Sequence, residues 1–144
     1  MKGVYILILR LNEDKIIQVG KLGECKFKKG FYAYTGSALG AGGFKRVTRH
    51  FDVVSGKNNV RKWHIDYLQS QSGVVCAILL PTKEVLECTV AQRLGEFLKG
   101  FPGFGCTDCA CFTHLFFSEK DPGEDIVKAC KFFEIESIIM NPHI

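Results

Sequence analysis

The stretch Gly3-Val4-Tyr5-Ile6-Leu7-Ile8-Leu9-Arg10-Leu11 runs into Asn12-Glu13-Asp14 and then Lys15-Ile16-Ile17-Gln18-Val19. Residues 4–11 are rich in apolar and β-branched side chains, which favours a strand. The polar triplet that follows is typical of a turn, and residues 15–19 return to a strand pattern. The sequence therefore predicts a β-hairpin at the start of the chain, and so an antiparallel pair of strands.

Further elements follow along the chain from the spacing of apolar residues. The sequence predicts strands at residues 27–35, 74–80 and 114–117, and helices at residues 44–54, 60–70, 84–98 and 125–133. Strands and helices interleave, so the predicted class is mixed α/β (α+β), with a small, mainly antiparallel sheet flanked by helices and a C-terminal strand and helix. A chain of 144 residues suits one domain, which we expect to span residues 1–144.

The composition is that of a globular protein, with 47% hydrophobic and 24% charged residues. The longest apolar stretches fall far short of the roughly 20 residues that cross a bilayer, and no signal segment opens the chain, so we expect a cytoplasmic protein. The seven cysteines are an odd number in a chain without an export signal, which favours reduced thiols over a disulfide framework.

Positive charge is concentrated in residues 44–64, where six Lys or Arg residues face the single acid Asp52. Such a segment favours contact with a polyanion. The candidate nucleic-acid contacts are Lys45, Arg49, Lys57, Arg61, Lys62 and His64. A solvated basic face without a partner is the alternative explanation of the same pattern.

Glu87 falls within the apolar stripe of the predicted helix at residues 84–98, beside Leu86 and Val90. An ionised carboxylate buried without compensation is costly, so it needs a cation, a metal ion or a cleft that reaches water. Two interpretations stay open here, namely a structural salt bridge to an arginine and a metal ligand.

Arg46 and His50 lie one helical turn apart on the flank of the helix at residues 44–54. A guanidinium can hold two phosphate oxygens, and a neutral imidazole can accept a proton from water. The pair therefore suits phosphodiester chemistry, although such a pair on a helix also occurs on solvated surfaces.

Tyr5 and Tyr34 lie on predicted strands, each in a tripeptide with glycine, Gly3-Val4-Tyr5 and Tyr34-Thr35-Gly36. The two tripeptides resemble the elements that name the GIY-YIG nuclease superfamily, and Arg46, His50 and Glu87 follow in that family's order. The resemblance covers residues 3–98. It is closest to a branch of small proteins also found fused to endonuclease III-like repair enzymes, which are similar in Tyr34-Thr35-Gly36-Ser37-Ala38-Leu39-Gly40, Trp63-His64-Ile65-Asp66-Tyr67-Leu68 and Glu87-Cys88.

The resemblance implies an endonuclease that hydrolyses DNA with Mg²⁺ or Mn²⁺, in a structure-specific or repair-linked role. In that scheme Glu87 holds the metal ion, Arg46 clamps the phosphate, and Tyr5, Tyr34 and His50 position and deprotonate the attacking water. The choice among these three as general base stays open, as does DNA against RNA. The 28 residues between Tyr5 and Tyr34 exceed the superfamily's common spacing, which predicts an inserted hairpin.

The segment from Cys106 to His114 offers the thiols of Cys106, Cys109 and Cys111 and the imidazole of His114. These ligand types suit tetrahedral Zn²⁺, and packing of buried cysteines is the alternative. The rival to the enzyme is a non-catalytic nucleic-acid-binding module with the same fold and basic face.

Overall fold

The computed structural model describes residues 1–56, 64–105 and 112–142. Within them the chain forms eight strands and four helices. The strands are β1 (Gly3–Leu11), β2 (Lys15–Gln18), β3 (Glu24–Phe27), β4 (Gly30–Ala38), β5 (Gly73–Pro81), β6 (Lys99–Gly100), β7 (Leu115–Ser118) and β8 (Ile138–Met140). The helices are α1 (Lys45–Ser55), α2 (His64–Gln69), α3 (Glu87–Leu94) and α4 (Gly123–Cys130), and a 3-10 turn, Lys131–Phe133, extends α4.

Six strands make one sheet in the order β6-β7-β4-β1-β5-β8, and every neighbouring pair is antiparallel. With helices on both of its faces, this confirms the predicted mixed class with an antiparallel sheet. β2 and β3 form a separate two-stranded sheet.

The centre of the fold is β1, which pairs with β4 on one side and β5 on the other over nearly its whole length. All but one of its nine residues are buried. Because successive side chains of a strand point to opposite faces, Tyr5, Leu7 and Leu9 pack with residues of α1 and α2, whereas Val4 and Ile6 pack with residues of α3 and α4. The sheet therefore separates two apolar layers, and Tyr5 faces the layer that contains α1.

The predicted hairpin of the first two strands is wrong. Both edges of β1 are taken by β4 and β5, and β2 pairs with β3 instead. The predicted strand at residues 27–35 is in fact two strands, because the chain turns between Phe27 and Gly30. The inserted hairpin that the long spacing from Tyr5 to Tyr34 predicts is present as β2 and β3.

Other elements differ from the sequence prediction in where they begin and end. Helix α3 begins at Glu87 and ends at Leu94, so it is shorter than the predicted residues 84–98. The two short edge strands β6 and β8 carry too few residues for a recognisable pattern. The strand at β7 and the helix at α4 confirm the predicted C-terminal elements.

The cysteines depart from the expectation of reduced thiols at one position. Cys25, Cys76 and Cys130 are free thiols, but Cys88 is disulfide-bonded. A sequence does not show which cysteines approach each other, which is why the expectation was wrong there. Across the three described ranges, no helix has both the length and the apolar character needed to cross a membrane.

Candidate functional site

Tyr5 and Tyr34 come from neighbouring strands and share one face of the sheet. Tyr5 stands opposite Gly36, and Leu7 stands opposite Tyr34, so the two tyrosines are diagonal neighbours across β1 and β4. A Cβ atom on Gly36 would lie 2.2 Å from Cζ and 2.3 Å from Oη of Tyr5. The tyrosine ring therefore lies directly over the β4 backbone, and only glycine leaves room for it.

His50 on α1 meets this pair from above the sheet. Its Nε2 atom lies 2.6 Å from Oη of Tyr5, a short hydrogen bond between two buried side chains. The ring centroids of His50 and Tyr34 are 6.3 Å apart in an edge-on arrangement. The histidine thus contacts one tyrosine directly and lies beside the other.

Arg46 and Glu87 approach the same end of β4 through one residue, Ser37. Strand β4 extends beyond its pairing with β7, which ends at Tyr34. There, Nη1 of Arg46 donates to the Ser37 carbonyl at 2.8 Å, and the Ser37 N–H donates to the Glu87 carboxylate. The guanidinium of α1 and the carboxylate of α3 are therefore held by one peptide segment.

The five residues that the sequence singled out for catalysis thus lie together. Arg46 is exposed, Glu87 and Tyr34 are half-buried, and Tyr5 and His50 lie beneath them with 4% and 1% of their surface accessible. The arrangement places a cation and an anion at the surface, above a buried hydroxyl–imidazole pair. Such a site can hold a phosphate at its mouth and a proton acceptor at its base.

Burial dominates the ionisation of these groups. It raises the pKa of both Tyr5 and Tyr34, an effect that Arg46 opposes and Glu87 reinforces. It also lowers the pKa of His50 to about 4, although a hydrogen bond with Gln69 acts in the other direction. At neutral pH the tyrosine hydroxyls and the imidazole are therefore all uncharged.

Within the described ranges, the ion pair that Glu87 forms within 4.0 Å is with His114, and the salt bridge to an arginine that was one interpretation of its position is not observed there. Burial raises its pKa, and the Ser37 N–H and the charge of Arg46 oppose that rise. Among the described residues, the basic atom within 4.0 Å of its carboxylate is Nδ1 of His114, whose own pKa is lowered by burial. His114 is therefore mostly neutral at pH 7, so it compensates little of the negative charge of an ionised Glu87 carboxylate.

The position of Glu87 would allow its carboxylate to serve as a ligand of a magnesium or manganese ion. The side chain is 26% exposed at the first turn of α3, so it reaches solvent instead of lying within the apolar stripe that the sequence predicted. Mg²⁺ keeps several waters and takes one or two carboxylates plus substrate phosphates. No cluster of three or more His, Cys, Asp or Glu that could hold a metal occurs within the described ranges. One partly exposed carboxylate is consistent with such a site, and Glu87 is the residue that would supply it.

The predicted nucleic-acid contacts divide into three groups. Lys45 is exposed at the start of α1, next to Arg46, as a phosphate contact requires. Arg49 instead forms a two-pronged ion pair with Asp66, and His64 accepts a hydrogen bond at Nδ1 from the Gly105 N–H. Lys57, Arg61 and Lys62 lie outside the described residues. The basic surface expected from residues 44–64 therefore includes Lys45 and excludes Arg49, whose charge is already paired.

The predicted zinc ligands Cys106, Cys109 and Cys111 lie outside the described residues. His114 is described, and it is buried, with Nε2 3.8 Å from Sγ of Cys88 and Nδ1 near Glu87. Zinc binding by these four residues stays a prediction.

Sequence reasoning missed two parts of this site and one groove outside it. Gln69 and Asp66 are fully buried beneath His50, although on a short helix they resemble solvated residues. Ser37 contributes through its backbone, which any residue could supply. Elsewhere, a groove of about 350 Å³ is lined by Lys26, Lys28 and Lys99 and by the rings of Tyr32, Phe101 and Phe117, with Glu119 as its acidic residue. The strand pairings that bring Lys99 to the inserted hairpin left no signal in the sequence.

The fold and the site together define a mixed α/β protein with an antiparallel six-stranded sheet and a polar cluster at one end of its central strands. The chain belongs to the family described as Domain of unknown function DUF123, whose model matches residues 4–135. No curated protein and no solved structure matches the chain.

Proposed function

We propose that this protein is a divalent-metal-dependent endonuclease that hydrolyses phosphodiester bonds of DNA in the cytoplasm, in line with its resemblance to the GIY-YIG nucleases. The observation that carries the proposal is the 2.6 Å hydrogen bond between Tyr5 and His50. It lies beneath Arg46 and Glu87, which both bind Ser37. A buried proton acceptor, a phosphate-binding cation and a metal-binding carboxylate are the parts that such hydrolysis needs.

Arg46 binds the scissile phosphate in this mechanism. Its side chain is exposed, and Nη1 donates to the Ser37 carbonyl, which holds the guanidinium at the end of β4. A guanidinium presents a planar fork that matches two phosphate oxygens, and its positive charge stabilises the charge that develops there during displacement. Lys45 contacts an adjacent phosphate of the nucleic acid, and this contact carries no sequence preference.

A Mg²⁺ or Mn²⁺ ion bound by Glu87 would supply a Lewis acid for a phosphate oxygen, offset charge on the leaving 3′ oxygen and favour ionisation of nearby hydroxyls. The protein supplies the remaining steps. As water attacks phosphorus, a new P–O bond forms and the bond to the 3′ oxygen breaks, which leaves a 5′ phosphate and a 3′ oxygen that takes up a proton from solvent. The proton of the water passes to the hydroxyl oxygen of Tyr5, whose own proton passes to Nε2 of His50.

The pKa values of Tyr5 and His50 explain why the proton transfer between them should occur only when substrate and cation are bound. Burial raises the pKa of Tyr5 and lowers that of His50 to about 4, so the resting proton stays on the tyrosine. Arg46 already opposes the rise in the pKa of Tyr5, and further positive charge at Glu87 would act in the same direction. The proposal therefore predicts a pair that is inert until substrate and cation are both present.

The test is a nicking assay on supercoiled plasmid and on branched DNA, with Mg²⁺ or Mn²⁺ and with a chelator in parallel. Wild-type protein should nick in a metal-dependent way, and Glu87→Gln should lose nicking while still binding DNA. Glu84→Gln is the matched control, because Glu84 is exposed three residues earlier. Nicking by Glu87→Gln at the wild-type rate would contradict the proposal.

The rival function predicts a different outcome of the same experiment. A binding module would bind DNA with a strong dependence on salt concentration and would cut under none of the conditions. The lysine-lined groove beside the inserted hairpin suits such binding as well as it suits a nuclease. Binding without cutting, in protein shown to be folded, would therefore replace the enzyme with the module.

A further inference from the structure

We propose that Gln69, held by Asp66 and Arg49, is a positioning residue that fixes the His50 ring with its hydrogen on Nδ1 and so leaves Nε2 to accept the proton of Tyr5. The tautomer follows from the polar groups that face the two ring nitrogens. The role of this tautomer in catalysis rests on the proposed function. In that mechanism the tautomer identifies His50 as the final proton acceptor.

The chain of contacts begins at the ion pair between α1 and α2. Nη1 and Nη2 of Arg49 lie 3.1 and 3.0 Å from Oδ1 and Oδ2 of Asp66, which is fully buried. A two-pronged guanidinium contact stabilises the ionised carboxylate. An ionised carboxylate has no hydrogen to donate, so Asp66 can only accept further hydrogen bonds.

That restriction orients the side-chain amide of Gln69. Its Nε2 atom donates to Oδ1 of Asp66 at 3.3 Å, within a side chain that has no accessible surface. With the amide nitrogen turned toward Asp66, the carbonyl oxygen Oε1 is the atom left to bond the imidazole. Oε1 of Gln69 and Nδ1 of His50 are both buried, and the contact between the two side chains is longer or less linear than an ordinary hydrogen bond. The Gln69 side chain nonetheless raises the pKa of His50, as an acceptor that faces a ring N–H does. Because Oε1 is an acceptor, the ring nitrogen that faces it must carry a hydrogen.

Only one tautomer of His50 satisfies both of its neighbours. Nε2 faces the Tyr5 hydroxyl at 2.6 Å, which leaves Nδ1 as the nitrogen that carries the hydrogen toward Gln69. In this form the tyrosine O–H donates to an unprotonated Nε2. The other tautomer would direct an N–H at the Tyr5 hydroxyl and leave Nδ1 and Oε1 as two acceptors face to face. A buried pair of acceptors is unfavourable, so the first form should dominate.

The arrangement has a chemical consequence for the direction of proton transfer. The donors run from the Tyr5 hydroxyl through Nδ1 of His50 and Nε2 of Gln69 to the Asp66 carboxylate, which also accepts from Arg49. The partner of Nδ1 is a neutral amide and not a carboxylate, so the ring is oriented without an adjacent full negative charge. His50 therefore stays neutral at rest and keeps its lone pair on the side of the tyrosine.

The first test measures the tautomer in the wild-type full-length protein. Two-bond ¹H–¹⁵N correlation spectra of ¹⁵N-labelled protein distinguish a protonated from an unprotonated ring nitrogen. The chain has four histidines, and a His50→Gln variant assigns the signals of this one. We expect Nδ1 of His50 to be protonated and Nε2 to be unprotonated near pH 7. A protonated Nε2 would overturn the inference without the need for any further variant.

The second test uses Gln69→Leu, with Gln71→Leu as the matched control. Gln71 lies two residues further on, is exposed and bonds Lys15 instead of the buried series. Gln69→Leu should give a mixture of the two His50 tautomers and lower kcat for nicking by about 10- to 100-fold, the range seen when an orienting partner is lost, with KM changed less than about twofold. Gln71→Leu should change none of these quantities.

Two results separate this inference from the proposed function. If Gln69→Leu folds, keeps the Nδ1–H tautomer and keeps the wild-type kcat, the positioning role is refuted while the nuclease stands. If the wild-type protein never cuts, the nuclease is refuted, and the tautomer spectrum still decides the role of Gln69.

Discussion

Replacing Gly36 by alanine tests how closely the site depends on the contact between Tyr5 and the β4 backbone. The added Cβ would lie 2.2 Å from Cζ, 2.3 Å from Oη and 2.6 Å from Cε2 of Tyr5. Non-bonded carbon atoms prefer about 3.5–4.0 Å, so the ring has to retreat by more than about 1 Å. Tyr5 is 4% exposed and faces His50 at a centroid distance of 5.2 Å, so it retreats into α1.

The cost of that retreat appears in both stability and activity. Overpacking of a filled core costs about 1–3 kcal/mol. In a domain of this size each kcal/mol lowers Tm by about 3–4 °C, so the expected loss is about 3–12 °C. A shift of about 1 Å also breaks the 2.6 Å hydrogen bond to His50. Misplacement of that size costs about 100-fold in rate, which the nicking assay would measure.

Gly73→Ala is the matched control, since Gly73 lies in the paired strand β5 and its added Cβ would meet only the Arg10 carbonyl oxygen, at 4.0 Å. Neither glycine has a positive φ, so the two substitutions differ in steric contact and not in backbone strain. Thermal melting and nicking of Gly73→Ala should match the wild type. A Gly36→Ala protein that melts and nicks like the wild type would refute the steric argument.

Four further substitutions test the charges around the site. Because burial lowers the pKa of His50 from 6.5 to about 4, the unfolded chain takes up this proton first on acidification, and about 3 kcal/mol of stability should be lost between pH 6.5 and pH 4. Urea titrations of His50→Gln should show a shallower loss, and an equal loss would contradict the assignment. Arg49→Met should cost about 3 kcal/mol in the same titrations, because it removes the guanidinium that lies 3.0 Å from the fully buried Asp66 carboxylate. Lys45→Met should leave stability unchanged and reduce the salt dependence of DNA binding; the reverse pattern for Arg49 and Lys45 would restore Arg49 as a DNA contact. Burial raises the pKa of Glu87 in the folded protein, so the folded state favours the protonated side chain. The free energy of unfolding therefore falls as pH rises through this raised pKa. Glu87→Gln should therefore melt above the wild type at pH 7, and the difference should vanish below the ordinary glutamate pKa.

The sequence predicted the parts of the site that depend on local periodicity. The residue pattern placed Tyr5 and Tyr34 on strands, and the spacing of one helical turn placed Arg46 and His50 together. Glu87 drew attention as a carboxylate beside apolar residues, although the helix actually starts at that residue. These inferences needed only the spacing of residues within one element.

The parts that were missed depend on contacts between distant elements. The pairing of β1 with β5 joins residues about 70 positions apart, and no local pattern distinguishes it from a hairpin with β2. Asp66 and Gln69 have the composition of a solvated helix surface, and only the packing of α2 against α1 shows that they are buried. The backbone of Ser37 is invisible in a sequence, because every residue offers an N–H and a C=O except proline.

Because Tyr5 lies on the central strand, the site has a rigid part and a part that can move more easily. Amide hydrogens of a strand that is paired along both edges and covered on both faces exchange only when the whole domain unfolds. Arg46 and Glu87, by contrast, occupy the first turns of peripheral helices, where local opening is cheapest. A ligand that fits poorly can therefore be accommodated by movement of the two charged groups, while the tyrosine they surround keeps its place.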